Sequence, residues 1–129
     1  MVSALRMSSE LDSGPVYLKC PLNLDGRAQE IFERAAEIVF AMIGDIVRDE
    51  PAPEQQCGDA VYFQRRTPAE SLLSAAATVA GAYDHIRMLD AEGYPHAFID
   101  YGELRLEFSH AELAGNGDLT ARVSIRKRP

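Results

Sequence analysis

Asp12 stands in the stretch Glu10-Leu-Asp-Ser-Gly14, where a carboxylate on a tight turn could act as a general acid or base. A turn aspartate more often bonds its own backbone, and the neighbouring residues alone favour that reading. Arg65 and Arg66 form a basic pair ahead of Thr67-Pro68. Guanidinium forks suit a carboxylate or phosphate, and equally suit surface ion pairs at a strand end. Tyr94, in Tyr94-Pro95-His96, can lie beside a ligand or simply follow a helix stop. His85 sits one position off an apolar helical stripe and reads as a partly buried structural histidine. Cys20 and Cys57 are far apart, and His85, His96 and His110 have no metal-ligand spacing, so no metal site is expected. No Gly-rich phosphate loop, Ser-His-Asp order or Cys-x-x-Cys is present.

The elements that must position these groups follow from composition and period. The chain has 129 residues, 47% apolar and 26% charged, ordinary globular usage that excludes a disordered tail or a disulfide miniprotein. The net charge of −7 argues against a broad nucleic-acid-binding face. The deficit is concentrated in residues 1–64, with 5 basic and 11 acidic side chains. Arg126, Lys127 and Arg128 are too few to reverse that argument and read as a solvated tail. No apolar stretch approaches the roughly 20 residues of a membrane span. No secretory signal is visible, so a reduced, cytoplasmic setting is expected, with Cys20 in the core and Cys57 in a loop.

Two strands, in Val2–Met7 and Val16–Cys20, flank the Ser- and Gly-rich turn and predict a wide hairpin. A long amphipathic helix follows, capped by Asp25 and stopped near Asp49 by Pro51 and Pro53. Its stripe is Ala28, Ile31, Phe32, Ala35, Ile38, Val39, Met42, Ile43 and Ile46, with Glu30 and Arg34 as an i,i+4 pair. Ala60–Phe63 is a short strand candidate. A second helix is expected from Ala69 or Leu72 to Asp90, on Leu72, Leu73, Ala76, Val79, Ala80, Tyr83 and Ile86, with Gly93 as its left-handed cap. Ala97–Tyr101, Leu104–Phe108 and Leu119–Ile125 alternate with period two and predict a three-stranded meander, turned at Gly102-Glu103 and at Gly115–Asp118. The fold class is α+β: an N-terminal strand pair, two amphipathic helices and short C-terminal antiparallel strands. The expected division is 1–58, the strand pair and first helix, and 59–129, the second helix and the meander.

The order of these pieces resembles the formyltransferase family that uses N10-formyltetrahydrofolate, which includes methionyl-tRNA formyltransferases and nucleotide-sugar N-formyltransferases. Leu5-Arg6-Met7 followed by Leu11-Asp12-Ser13-Gly14-Pro15-Val16 is similar to the family's strand, Asp-x-Gly turn and strand. Phe63-Gln-Arg65-Arg66-Thr-Pro68 resembles its basic pair before a proline; Ala69-Glu70 keeps half of the acidic pair that follows. Ile86-Arg87-Met88-Leu89 and Tyr94-Pro95-His96-Ala97-Phe98 resemble the helix and Tyr-Pro-x-Ala-Phe segment that lead into its small C-terminal part. The resemblance runs from about Leu5 to Phe108, the carboxyl-side portion of the family's fold.

The resemblance implies formyl transfer from N10-formyltetrahydrofolate to an amine. Asp12 matches the family's catalytic Asp, which orients a histidine and helps accept the amine's proton. The catalytic Asn and His lie upstream in the family, in an Asn-x-His segment within an α/β region that also holds most of the folate pocket. No histidine here has that context, so whether the chain is itself an enzyme stays open and the isolated chain is expected to be inactive. No residue is assigned to the donor's pocket. Arg65, Arg66 and Tyr94 are the candidates for the acceptor, a small-molecule amine. An amino-sugar nucleotide is favoured over methionyl-tRNA, because the acidity and the short stretch after Phe98 weigh against tRNA. A partner chain completing the fold, or self-association through an exposed face of the first helix (Ile31, Ile38, Met42), is also expected, along with an exposed edge on the Val16 strand. The other readings are a non-catalytic remnant and a small α+β interaction or binding module.

Overall fold

The structure, a computed structural model, describes residues 1–73 and 78–129. The fold is α+β, with two antiparallel sheets and two α-helices in the order expected. Two units are distinguished, one from residues 1–25 and 30–63 and the other from residues 26–29 and 64–129.

In the first unit, β1 (Val2–Leu5) pairs antiparallel with β2 (Val16–Cys20), Val2 opposite Cys20 and Leu5 opposite Val16. The wide hairpin is thus formed. The far edge of β2 is engaged at its first residue, where Val16 exchanges both backbone hydrogen bonds with Glu54, at 2.7 and 2.9 Å. Cys20, expected in the core, is only half-buried at the strand end, and Cys57 is exposed.

Helix α1 runs Ala28–Asp49. It starts later than Asp25, which therefore does not cap it. Asp25 donates its N–H to the Asn23 side chain at 2.7 Å, and the carbonyls of Asn23 and Asp25 accept from Arg34. The helix ends as Glu50 turns left-handed, φ 42°, immediately before Pro51. Ala28, Ile31 and Met42 are buried, so the expectation that Ile31 and Met42 are exposed is corrected. Met42, Val39, Ile43 and Ile46 line a cavity of about 120 Å³ with Val2, Ser3 and Ala4 of β1. The exposed apolar residues of α1 are Phe32, Val39, Phe40, Ile43 and Val47, another line at helical spacing.

Ala60–Phe63 forms no strand; Tyr62 and Phe63 are each 91% exposed. Its β-type residues have no partner strand to pair with, and propensity alone does not hold an extended segment in a sheet.

In the second unit, helix α2 is Val79–Arg87, capped by the Thr78 hydroxyl accepting from the Gly81 N–H at 3.0 Å. It is shorter than expected at both ends. A single 3-10 turn covers Pro68–Ser71, and Leu72 is extended and bridged in parallel to Phe98, while Leu73 donates to the Phe98 carbonyl at 2.8 Å. Those backbone groups are spent on the sheet rather than on a helix. Ala76, assigned to the helical stripe, lies outside the described residues. Met88 caps the C-terminus in a right-handed conformation; Gly93 is left-handed (φ 77°) but belongs to the turn beyond.

The meander forms as predicted: β3 (Ala97–Tyr101), β4 (Leu104–Leu113) and β5 (Leu119–Lys127) in that order. Gly102, at φ 58°, makes the two-residue turn between Tyr101 and Leu104, where a side chain would be strained. Ile86, Leu89, Ala97 and Ala111 form the buried core, with Tyr83, Phe108, Leu119 and Ala121 packed around it. The opposite face of the sheet is charged: Arg105 makes a two-point contact with Asp100 at 2.8 and 3.1 Å and stacks over the Phe98 ring at 3.7 Å.

β4 carries a bulge between Ser109 and Glu112, where His110 is left-handed (φ 52°). The His110 N–H leaves the ladder and donates to Asp90. No helix among the described residues is long and apolar enough to cross a membrane.

Candidate functional site

The first unit positions Asp12. It lies exposed at the tip of the β1–β2 connection with φ 55°, a left-handed conformation that costs a non-glycine residue about 1–3 kcal/mol unless its surroundings hold it. They do so from three sides. Gly14 is buried against the return of β1, where a Cβ would stand 1.7 Å from the Arg6 carbonyl oxygen, so only glycine fits. The Arg6 N–H donates to the Pro15 carbonyl at 2.8 Å and closes the connection. The Ser8 and Ser13 hydroxyls lie 2.8 Å apart and both within reach of the Glu10 carbonyl, so one donates to the carbonyl and the other to its neighbouring hydroxyl or to the same carbonyl. The Gln56 amide then donates to the Asp12 and Gly14 carbonyls, both at 2.7 Å. The connection surrounds a concavity of about 290 Å³ lined by Leu5–Leu11, Asp12 and Gly14.

The second unit brings Arg65, Arg66 and Tyr94 together. They line one cleft of about 620 Å³ with Thr67, Pro68, Ser71, Leu89 and Pro95. Local chemistry fixes its first wall. Glu70 accepts from both the N–H and the hydroxyl of Thr67, and this holds the Glu70 carboxyl below its ordinary range, while the Glu70 N–H donates to the Thr67 carbonyl at 3.1 Å. Arg66 donates to the Glu70 carbonyl at 2.8 Å, which anchors its guanidinium and leaves other donors on the fork for a ligand. Arg65 has no ion pair among the described residues. Ser71, 1% exposed, donates to the Pro95 carbonyl at 3.3 Å and ties the two walls. A cleft of this size with two guanidinium groups at its mouth can take a small anionic molecule.

Asp12 belongs to the first unit and the cleft to the second. His85, expected to be structural, keeps its Nε2 buried without a hydrogen-bond partner among the described residues, as does His96 its Nδ1. No cluster of three or more metal-ligating side chains occurs among the described residues. Two residues escaped the reading of the sequence. Gln56 reaches the Asp12 turn from more than forty residues away, in a polar linker with no local signal. Asp90 was read only as the end of a helix, yet it is buried and carries the bulge of β4.

Residues 68–126 match the family model described as methionyl-tRNA formyltransferase, C-terminal domain. Among solved structures, the chain is similar to one described as methionyl-tRNA formyltransferase from Clostridium thermocellum, at 45% identity and a TM-score of 0.93. That likeness covers 98% of this chain and 56% of the other, so the chain spans little more than half the length of that structure. Among curated proteins, none matches.

Proposed function

We propose that this chain, formyltransferase-like in both sequence and fold, forms the carboxyl-side part of an enzyme that transfers a formyl group to an amine. The observation that carries the reading is the Asp12-Ser13-Gly14 turn. A left-handed aspartate is held exposed by the Ser8–Ser13 hydroxyl contact and by two hydrogen bonds from Gln56 to the Asp12 and Gly14 carbonyls. In formyl transfer the amine bonds to the formyl carbon and loses a proton, while that carbon's bond to the donor nitrogen breaks and the nitrogen leaves protonated. The Asp12 carboxylate takes that proton or holds the histidine that does.

The donor in this reading is N10-formyltetrahydrofolate. The concavity beside Asp12, about 290 Å³, sits at the lower end of the size range of ligand sites and does not enclose a folate by itself. The donor's pocket, the Asn and the His are therefore assigned to the remainder of the fold, on this polypeptide or on another. Without that remainder the chain does not turn over.

The acceptor is a small amine bearing an anionic group, and a nucleotide-linked amino sugar is the preferred class. The cleft of Arg65, Arg66 and Tyr94 has the volume of a small-molecule site, and a net charge of −7 disfavours a long polyanion. Methionyl-tRNA is the second reading, favoured by the descriptions of both the matching family model and the similar structure.

The test is a fusion of this chain to the upstream portion of the Clostridium thermocellum relative, assayed for formyl transfer from formyltetrahydrofolate to amino-sugar nucleotides and to methionyl-tRNA. The fusion is expected to be active, the chain alone inactive, and Asp12→Asn in the fusion slower by about 10²–10⁴-fold. Undiminished turnover of the Asp12→Asn fusion would end the assignment.

A further inference from the structure

We infer that Gln56 is a positioning residue for Asp12, fixing the orientation of the carboxylate by clamping the backbone that follows it, at the Asp12 and Gly14 carbonyls. The inference rests on the formyl-transfer reading above. The geometry of the clamp is independent of that reading.

Gln56 Nε2 lies 2.7 Å from the Asp12 carbonyl and 2.7 Å from the Gly14 carbonyl. A primary amide has two N–H donors, and here both are used on one turn. The two acceptors flank Ser13, so the clamp spans the peptide units that follow Asp12. Rotation about the Asp12 backbone would swing its carbonyl off the amide and break a hydrogen bond. The left-handed φ of Asp12 is the strained element that needs such a hold.

The clamp is itself anchored. Glu54, two residues before Gln56, exchanges both backbone hydrogen bonds with Val16, two residues after Gly14. The strap and the turn therefore run side by side, joined at the Val16–Glu54 backbone pair and by the Gln56 side chain. A residue recruited across more than forty positions, with its whole donor capacity spent on two carbonyls, does more than fill space. One of these hydrogen bonds is partly shielded from water, which strengthens it.

Three variants separate donation from packing. Gln56→Glu is isosteric but can only accept, and it sets a carboxylate against two carbonyl oxygens. Gln56→Ala removes the side chain. Gln56→Lys supplies donors at similar reach. In the chain alone, backbone NMR order parameters at Asp12, Ser13 and Gly14 are expected to fall toward about 0.6 in Gln56→Glu and Gln56→Ala and to recover in Gln56→Lys. Hydrogen-exchange protection across β1 and β2 should persist in all three, which shows that the hairpin still folds. In the active fusion, Gln56→Glu is expected to lower kcat by about 10–100-fold with the acceptor KM unchanged, as a misplaced catalytic group does.

Wild-type order parameters at Asp12, Ser13 and Gly14 in Gln56→Glu would overturn the inference. So would a disordered turn that leaves kcat untouched, while loss of turnover in Asp12→Asn would still uphold the formyl-transfer reading. Conversely, full turnover in Asp12→Asn would sink that reading whatever Gln56 does.

Discussion

The carboxylate of Asp90, 5% exposed, accepts the backbone N–H of His110 at 2.7 Å. The bulge in β4 turns this N–H away from β5, and Asp90 supplies the acceptor the ladder no longer provides. Arg27 stands 3.8 Å from the same oxygen and offsets part of the cost of burying the charge. Asp90→Ala should therefore destabilise the second unit by about 1–3 kcal/mol, the cost of a buried unpaired donor. Asp90→Asn keeps a carbonyl acceptor and should cost less. Urea midpoints of the two variants, compared with the parent, check both expectations.

Gly14→Ala tests the tight return beneath Asp12. With a Cβ position 1.7 Å from the Arg6 carbonyl oxygen, the backbone must shift. The expected loss is about 1–3 kcal/mol, as for other overpacked sites, with faster hydrogen exchange at the Arg6 and Val16 amides. A stability equal to the parent would mean that the turn relaxes at no cost.

The arginine pair should separate in its effects. Arg65→Ala removes a guanidinium with no ion pair among the described residues, so stability should change by less than about 0.5 kcal/mol. Acceptor KM in the active fusion should rise several-fold and become less sensitive to salt. Arg66→Ala should also weaken the acceptor, and it additionally loses the hydrogen bond to the Glu70 carbonyl. Thermal melts and salt-dependent kinetics read the two components.

The acid limb of stability should carry Glu70 and Asp100. Both carboxyls are held below their ordinary values, Glu70 chiefly by the Thr67 backbone N–H and Asp100 chiefly by its hydrogen bonds from Arg105. For a depressed carboxyl, the stabilisation is fully present above the unfolded-state value and is lost as pH falls through the folded one. The reference values are 4.5 and 3.8, so unfolding midpoints should hold near neutral pH and fall below about pH 4.5. Asp100→Asn should flatten the lower part of that decline.

The exposed line on α1 predicts association. Phe40 is 75% and Val47 72% exposed, on the same helix as Phe32, Val39 and Ile43. The chain alone should grow in mean mass with concentration in light scattering, and Phe40→Glu with Val47→Glu should suppress that growth. A strict monomer at high concentration would show that these side chains are tolerated in water.

Local patterns in the sequence were enough to place most elements. The period of α1, the alternation of β3–β5 and the Gly102-Glu103 turn depend on neighbours in sequence, and the structure places them as read. The fold class follows from them. What stayed hidden depends on distant partners. Leu72 and Leu73 look helical, yet their backbone groups go to Phe98. Val61, Tyr62 and Phe63 have strand propensity and no strand to meet. Asp25 has the right residue type for a cap, but α1 begins after it. Of the candidate site, the basic pair and Tyr94 were legible and lie in one cleft. Gln56 was not, because an amide in a polar linker has no periodicity to betray a partner so far along the chain.

The strap at Glu54 has a consequence for solubility during folding. Glu54 turns its N–H and carbonyl toward Val16, so by strand alternation its neighbour Pro53 faces outward. Proline has no N–H to offer, and Pro51 repeats the defect two residues earlier. Another chain approaching along that border meets missing donors at alternate positions. At Val16, then, the strap is a selvedge poor in donors, a border that offers a further strand little to pair with.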